Sequence, residues 1–253
     1  MRTEESPAKW SMSKPTSWHA RQMTDGEADR RHSRALEPQL ISDPTLKAEA
    51  EAANGLRQYD LAVQAVQTAI ERQPFKLRLS LILSFQREAL QGISSYAGNF
   101  RPGDVEIQHS RHEPPRAHLV PELVEDLCDY VNSNWNSSSP IHLAAYVMWR
   151  LNWIHPFADG NGRTSRILAF FVLFARLGAL LPGTPTLPEL IIDHRDLYEA
   201  ALDDADDACK AGRLDVSKME ALIEGLLAKQ LARIYELAAG EAVTDPRALP
   251  PGG

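Results

Sequence analysis

The chain has 253 residues, 43% of them apolar and 24% charged, which is ordinary globular usage with room for one sizeable core. A formal charge of -7 weighs against a general binder of nucleic acid or of an anionic membrane surface, since both ask for a net basic face. Cys128 and Cys209 fall in separate helical patterns, which argues against a disulfide framework or cysteine metal cluster. No segment approaches the roughly 20 apolar residues of a membrane span, and the amino terminus lacks the hydrophobic stretch of a secretory signal, so the expected location is the cytoplasm.

Residues 1–42 are rich in Ser, Pro and charged side chains with almost no aliphatic periodicity, and are expected to form a disordered arm. Regular apolar spacing runs over residues 43–240, and 241–253 read as a flexible tail; no internal repeat is visible. Leu79, Ile82, Leu83, Leu90 and Ile93 follow one helix face, as do Leu123, Val124, Leu127, Cys128 and Val131 behind Pro121. Between them, residues 98–120 are polar and rich in Gly and Pro around the alternation Val105-Glu106-Ile107, which predicts a loop or small hairpin. Residues 141–154 and 166–180 are apolar almost all round, as helices in the middle of a bundle are. Met219, Leu222, Ile223, Leu226, Gln230 and Ile234 form the cleanest stripe of all. The fold class is therefore mainly α, a helical bundle.

Between the two most apolar helices lies "WIHPFADGNGRTSRIL", residues 153–168. Pro156 interrupts a helix, Gly160 and Gly162 allow unusual backbone angles and close approach, and an apolar helix begins just beyond. Such a turn into a helix N-terminus presents unpaired N–H groups and the positive end of the dipole, a ready site for phosphate. Arg163 and Arg166 lie on one face of the first helical turns and suit two phosphates. Asp159 is a hard oxygen ligand of the kind Mg²⁺ takes when shared with nucleotide phosphates, and His155 is a base with an ordinary pKa near neutrality. Base, carboxylate, turn and arginines together describe nucleophilic attack on a phosphorus of a nucleoside triphosphate.

The stretch from His155 to Arg166 resembles the signature of the Fic proteins, an all-helical family, and the likeness extends over roughly residues 75–180. The resemblance implies a Fic-type bundle with a short β-hairpin flap beside the active site. It implies a protein adenylyltransferase that moves AMP from Mg-ATP to a Ser, Thr or Tyr hydroxyl of a target protein and releases pyrophosphate. By that resemblance His155 is the general base, Phe157 a core anchor, Asp159 the Mg²⁺ ligand and Asn161 a donor to the α-phosphate. Gly160 and Gly162 form the anion turn, and Arg163 and Arg166 take the β- and γ-phosphates. "YAGNFRPGDVEI" resembles the segment leading into the flap, so Val105 and Ile107 are assigned to target docking by strand addition. Doc-type relatives, which transfer the γ-phosphate, carry Lys where this chain has Gly162, and this favours AMP transfer. The alternatives are AMP removal in the same pocket, or a nucleotide-binding regulator without turnover, against which an intact His155 argues.

Several residues have plainer readings. His142 is expected to be a satisfied structural histidine, His109, His112 and His118 to lie on the flap surface, and the acidic run 203–207 to be a solvated helix face. Many Fic proteins also carry an inhibitory helix, Ser/Thr-x-x-x-Glu-Gly/Asn, whose glutamate pairs with the second motif arginine. Here Thr45 and Glu49 have that spacing but Ala50 replaces the last residue, while Glu224-Gly225 has Glu220 where Ser or Thr belongs. The expectation carried forward is a Glu49–Arg166 ion pair, with Glu51 a further candidate in the same helix. Failing both, restraint would come from a separate antitoxin-like partner, or be absent; a homo-oligomer is a separate expectation about partners.

Overall fold

The protein is described here by a computed structural model covering residues 33–34, 40–72 and 74–239. Apart from 33–34 and 40–42, the arm expected over 1–42 lies outside these residues, as does the tail over 241–253.

Helix α1, Pro44–Glu71, starts where Asp43 accepts hydrogen bonds from the N–H groups of Thr45 and Leu46, with Pro44 at the first helical position. Helix α2, Leu79–Leu90, packs against it, and α3, Val120–Asn134, follows the flap segment. Helix α4, Pro140–Ile154, is capped by Ser139 and fixed in φ by Pro140. Then come α5, Asn161–Leu177, α6, Leu187–Asp193, α7, Arg195–Lys210, and α8, Ser217–Ala239.

The two helices that are apolar all round, α4 and α5, are the centre of the bundle and each other's main neighbour. Helices α1 and α2 cover one flank of α5, α3 covers α4, and α8 closes the far side against α4, α6 and α7. Phe85 meets Phe171 edge-on at 5.9 Å and Phe170 meets Phe174 at 4.8 Å, with Leu143, Leu151, Ile154 and Leu168 fully buried between them. Each such side chain contributes about 1.5–3 kcal/mol by leaving water, so the α4–α5 pair is a stiff frame for the turn that joins them. Among the described residues no helix is long and apolar enough to cross a membrane.

The flap differs from a self-contained hairpin. Its strand β2, Glu106–Ile107, pairs antiparallel with strand β1, Ser33–Arg34, in the register Ser33↔Ile107 and Arg34↔Glu106. The chain returns through Pro114 and Pro115, which have no N–H to offer a ladder, so the edge of β2 is taken by a segment from the amino-terminal side.

Candidate active site

Helix α4 ends on His155, which adopts a left-handed conformation (φ 52°, ψ 56°) and donates its N–H to Leu151 O at 2.9 Å. A side chain with a Cβ in that region costs about 1–2 kcal/mol, so the surroundings must hold it there. They do: the His155 carbonyl accepts from Arg101 Nε at 2.8 Å, and the next carbonyl, of Pro156, accepts from the Arg101 N–H at 2.9 Å. The imidazole is buried, with 6% of the residue exposed. Its Nδ1 lies 3.3 Å from Asn152 O, which assigns the proton to Nδ1 and the lone pair to Nε2. Desolvation pulls the pKa down to about 4, assisted by the nearby His112 and Arg101 and opposed by the Asn152 carbonyl and Asp159. His155 is therefore a neutral imidazole throughout the physiological range, not one poised near 6.5.

Phe157 is fully buried and stacks on Phe100 at 6.0 Å. Its N–H is accepted by Asn161 Oδ1 at 3.0 Å and its carbonyl accepts from Asn161 Nδ2 at 2.9 Å, so the Asn161 carboxamide closes the turn from inside. The side chain expected to reach a phosphate therefore also shapes the loop. Gly160 is the N-cap of α5 at φ +81°, and a Cβ there would lie 2.5 Å from Leu90 Cδ2. It offers the first turn no capping side chain, which leaves that end of the helix to an external acceptor. At Gly162 a Cβ would come within 3.2 Å of Arg166 Nη1, filling the space beside that guanidinium.

Asp159 is half exposed, 3.1 Å from Arg163 Nη2, and accepts from the Gly160 N–H. Partial desolvation by itself raises its pKa, but Arg163, the Gly160 N–H and Lys47 outweigh that, and the carboxyl sits below its usual range. Arg163 also meets Glu51 Oε1 at 3.4 Å. Desolvation pulls the pKa of half-buried Arg166 down against the opposing influence of nearby Tyr198, and no carboxylate among the described residues forms an ion pair with it. The expected Glu49–Arg166 pair is thus replaced. Glu49 is exposed on α1, and Glu51, two residues on and turned toward α5, reaches the first motif arginine rather than the second.

Val105 is buried at the base of the flap and Ile107 is half-buried in β2. Two other residues that hold the site, Arg101 and Gln86, are not marked by any motif in the sequence. Arg101 donates to the carbonyls of His155, Gly103 and Pro115 at once. Gln86 of α2 donates to Asp159 O at 3.3 Å and accepts from the Gly98 N–H, tying α2 to both the motif and the flap. Its position on the apolar stripe of Ile82 and Leu90 was the available signal, since a polar side chain there must find a buried partner.

His112 corrects the flap-surface reading: unlike the exposed His109 and His118, it is buried, with Nε2 2.7 Å from Trp153 O and Nδ1 3.6 Å from Asp206. Asp206 likewise departs from the solvated face, buried and accepting from Trp149 Nε1 at 2.8 Å. The two polar groups face each other at 3.6 Å and each has a further partner, the Trp153 carbonyl for His112 and the Trp149 indole for Asp206, so both burials are satisfied. His142 is indeed satisfied, between Tyr130 at 2.8 Å and Glu220 at 2.6 Å.

The central helix pair of the bundle is thus joined by a turn bearing a neutral histidine, a carboxylate and two arginines. Residues 76–173, the segment that builds the site, match the Fic/DOC family. Over 111 residues, 43% of this chain, the sequence is 34% identical to "Protein adenylyltransferase Fic" of Drosophila willistoni and covers 22% of it. Identity and aligned length are the same for the Drosophila persimilis protein of that name, covered over 21%. The chain thus spans about a fifth of the length of the curated relatives it matches. Among solved structures, a Fic domain containing signaling protein from Bacteroides thetaiotaomicron superposes with TM-score 0.62 at 21% identity, over 80% of this chain and 78% of that one. A Fic family protein from Desulfovibrio desulfuricans superposes at 0.55 and 21% identity, over 81% and 57%. At those identities the likeness is one of fold.

Proposed function

We propose that the protein is an adenylyltransferase that transfers AMP from Mg-ATP to a hydroxyl side chain of another protein. The observation that carries the reading is the run from His155 to Arg166, which sets a neutral imidazole with its lone pair on Nε2 beside a helix N-terminus bearing two guanidiniums. The identity to relatives named protein adenylyltransferase supports the same class. The residues fit a shared cation: Asp159 stays anionic, keeps half its surface open and offers one hard oxygen, as suits Mg²⁺ completed by phosphate oxygens and water. When bound, that ion would supply positive charge to neutralise the polyphosphate and the leaving pyrophosphate oxygen.

The chain's own groups do the rest. Nε2 of His155 accepts the proton of the target hydroxyl as its oxygen bonds to the α-phosphorus, and the bond from that phosphorus to the bridging oxygen of pyrophosphate breaks. Arg163 and Arg166 face the charge that builds on the leaving group, and the first turn of α5 holds the phosphates by its N–H groups. The imidazolium so formed is disfavoured by burial, and the negative charge of the bound nucleotide offsets that penalty. The flap strand β2, paired with β1 on one side only, receives the target as an added strand. Free Cys128 and Cys209 suit a reducing compartment such as the cytoplasm.

The test is incubation with cell lysate and ATP labelled separately at the α- and γ-phosphate. Label from the α position alone is expected, falling by about 10²–10⁴-fold in His155→Ala. Label from the γ position, or none from either, overturns the reading.

A further inference from the structure

The flap is held to the bundle largely by polar contacts. At its start Arg101 grips the carbonyls of His155 and Pro115, and across its base Asp104 accepts from Arg116 Nη1 and from the Ala117 N–H, each at 2.7 Å. Over residues 102–119 the only buried side chains are Val105, just before β2, and His112, on the limb that returns from it. The returning limb is thus anchored by a histidine.

His112 reaches two other elements. Its Nε2 lies 2.7 Å from Trp153 O, and because a carbonyl only accepts, Nε2 carries the proton of that bond. Trp153 O is one of the carbonyls that the end of α4 leaves without a helical partner, since the Phe157 N–H four residues on goes to Asn161. The imidazole also packs against the Trp153 indole with ring centres 5.7 Å apart. Its Nδ1 faces Asp206 at 3.6 Å, and Asp206 is in turn tied to α4 by the Trp149 indole N–H at 2.8 Å. Asp206 belongs to α7, beyond the matched segment 76–173.

An apolar side chain in this place could cover the tryptophan as well, but it could slide along it. A hydrogen bond to Trp153 O fixes both distance and direction. Arg101 and His112 therefore refer the two limbs of the flap to the same stretch of chain, one through the carbonyl of His155 and the other through the carbonyl two residues before it. The strand between them is set in height and direction relative to the base. Placement at that level matters, because a misalignment of about 1 Å between reacting groups can cost on the order of 10²-fold in rate.

We propose that His112 is a positioning residue for the protein substrate, locking the returning limb of the flap to the end of α4 so that a docked strand brings its hydroxyl to His155. This rests on the adenylyl-transfer reading above.

The experiment uses the full chain as parent, His112→Ala, His112→Gln and His112→Asn, with thermal unfolding as the check of folding. It measures the initial rate of α-label transfer from ATP to cell-lysate protein at limiting lysate, the affinity for Mg-ATP by calorimetry, and amide hydrogen exchange over residues 104–113. His112→Ala is expected to lower the transfer rate about ten-fold and to speed exchange in the flap, while Mg-ATP affinity stays within about two-fold. Gln places an amide N–H where Nε2 stands and should restore the rate to within about three-fold of the parent, whereas the shorter Asn, which mimics the Nδ1 side, should not. If His112→Ala fails to fold, the comparison of Gln with Asn carries the test. An unchanged rate in His112→Ala, an equal loss of transfer and of Mg-ATP affinity, or an Asn variant as active as the Gln variant would overturn the proposal while leaving the transfer reading intact. A parent that transfers no α label would remove both.

Discussion

Arg101 donates from Nε to the carbonyl oxygen of His155 at 2.8 Å, so the base of the flap and the turn that carries the histidine are one mechanical piece. The guanidinium is buried and also serves the Gly103 and Pro115 carbonyls. Arg101→Leu should therefore leave three acceptors short of a donor and cost about 2–4 kcal/mol of unfolding free energy. Urea denaturation reads it; a loss under about 1 kcal/mol would show that the clamp is not what holds the turn.

The burial of His155 fixes the sign of a pH effect. Its folded pKa, about 4, lies below the unfolded value of 6.5, so between those limits the unfolded chain binds the extra proton and stability falls as pH drops. The span corresponds to roughly 3 kcal/mol, and His155→Gln should flatten that part of the stability curve. The histidine ring resonances, followed by NMR, should titrate with a midpoint near 4, and the acid limb of kcat/KM for the free enzyme should fall below pH 5. A midpoint at the ordinary value would contradict the burial.

Gly160 is required twice over, by φ +81° and by the 2.5 Å approach of its missing Cβ to Leu90. Gly160→Ala should cost about 2–4 kcal/mol, part from the backbone angle and part from the clash. Adding Leu90→Ala should relieve the second part only, so the double variant loses less than the two single losses summed. Thermal unfolding of the four proteins reports it, and strict additivity would contradict the clash.

Glu51, not Glu49, is the α1 carboxylate that reaches a motif arginine, Arg163, at 3.4 Å. Removing its charge frees Arg163 for the nucleotide, and Glu51→Gln should tighten Mg-ATP about 3–10-fold at low ionic strength, with the gain shrinking in salt. Glu49→Gln, on an exposed position, should leave it unchanged. Equal effects from the two variants would deny Glu51 its special place.

The helices and the motif were legible because each is written locally. The i, i+3, i+4 spacing of Leu79, Ile82 and Leu83 needs no partner to be read, and the glycines around Asn161 mark their turn within a few residues. What escaped depends on partners distant in the chain. His112 reads as a surface residue from its own neighbours and Asp206 as solvated from its acidic run, yet the two lie 3.6 Å apart and buried. Each makes sense only as half of a pair that folding brings together. The flap strand likewise suggested a hairpin from its own alternation, whereas Pro114 and Pro115 deny it a return strand and Ser33–Arg34 supply the edge. Asn161 shows a finer limit: the motif names the residue, but only the two bonds to Phe157 show that its side chain builds the loop.

The central claim is that the turn from His155 to Arg166 presents the α-phosphorus of ATP to His155 Nε2. A crystal structure of the complex with Mg²⁺ and a non-hydrolysable ATP analogue tests this most directly. The account predicts the polyphosphate on the first turn of α5, its terminal phosphates against Arg163 and Arg166, and the α-phosphorus facing the imidazole. A nucleotide bound in the opposite sense with its γ-phosphorus facing His155, or one seated away from α5, would contradict it.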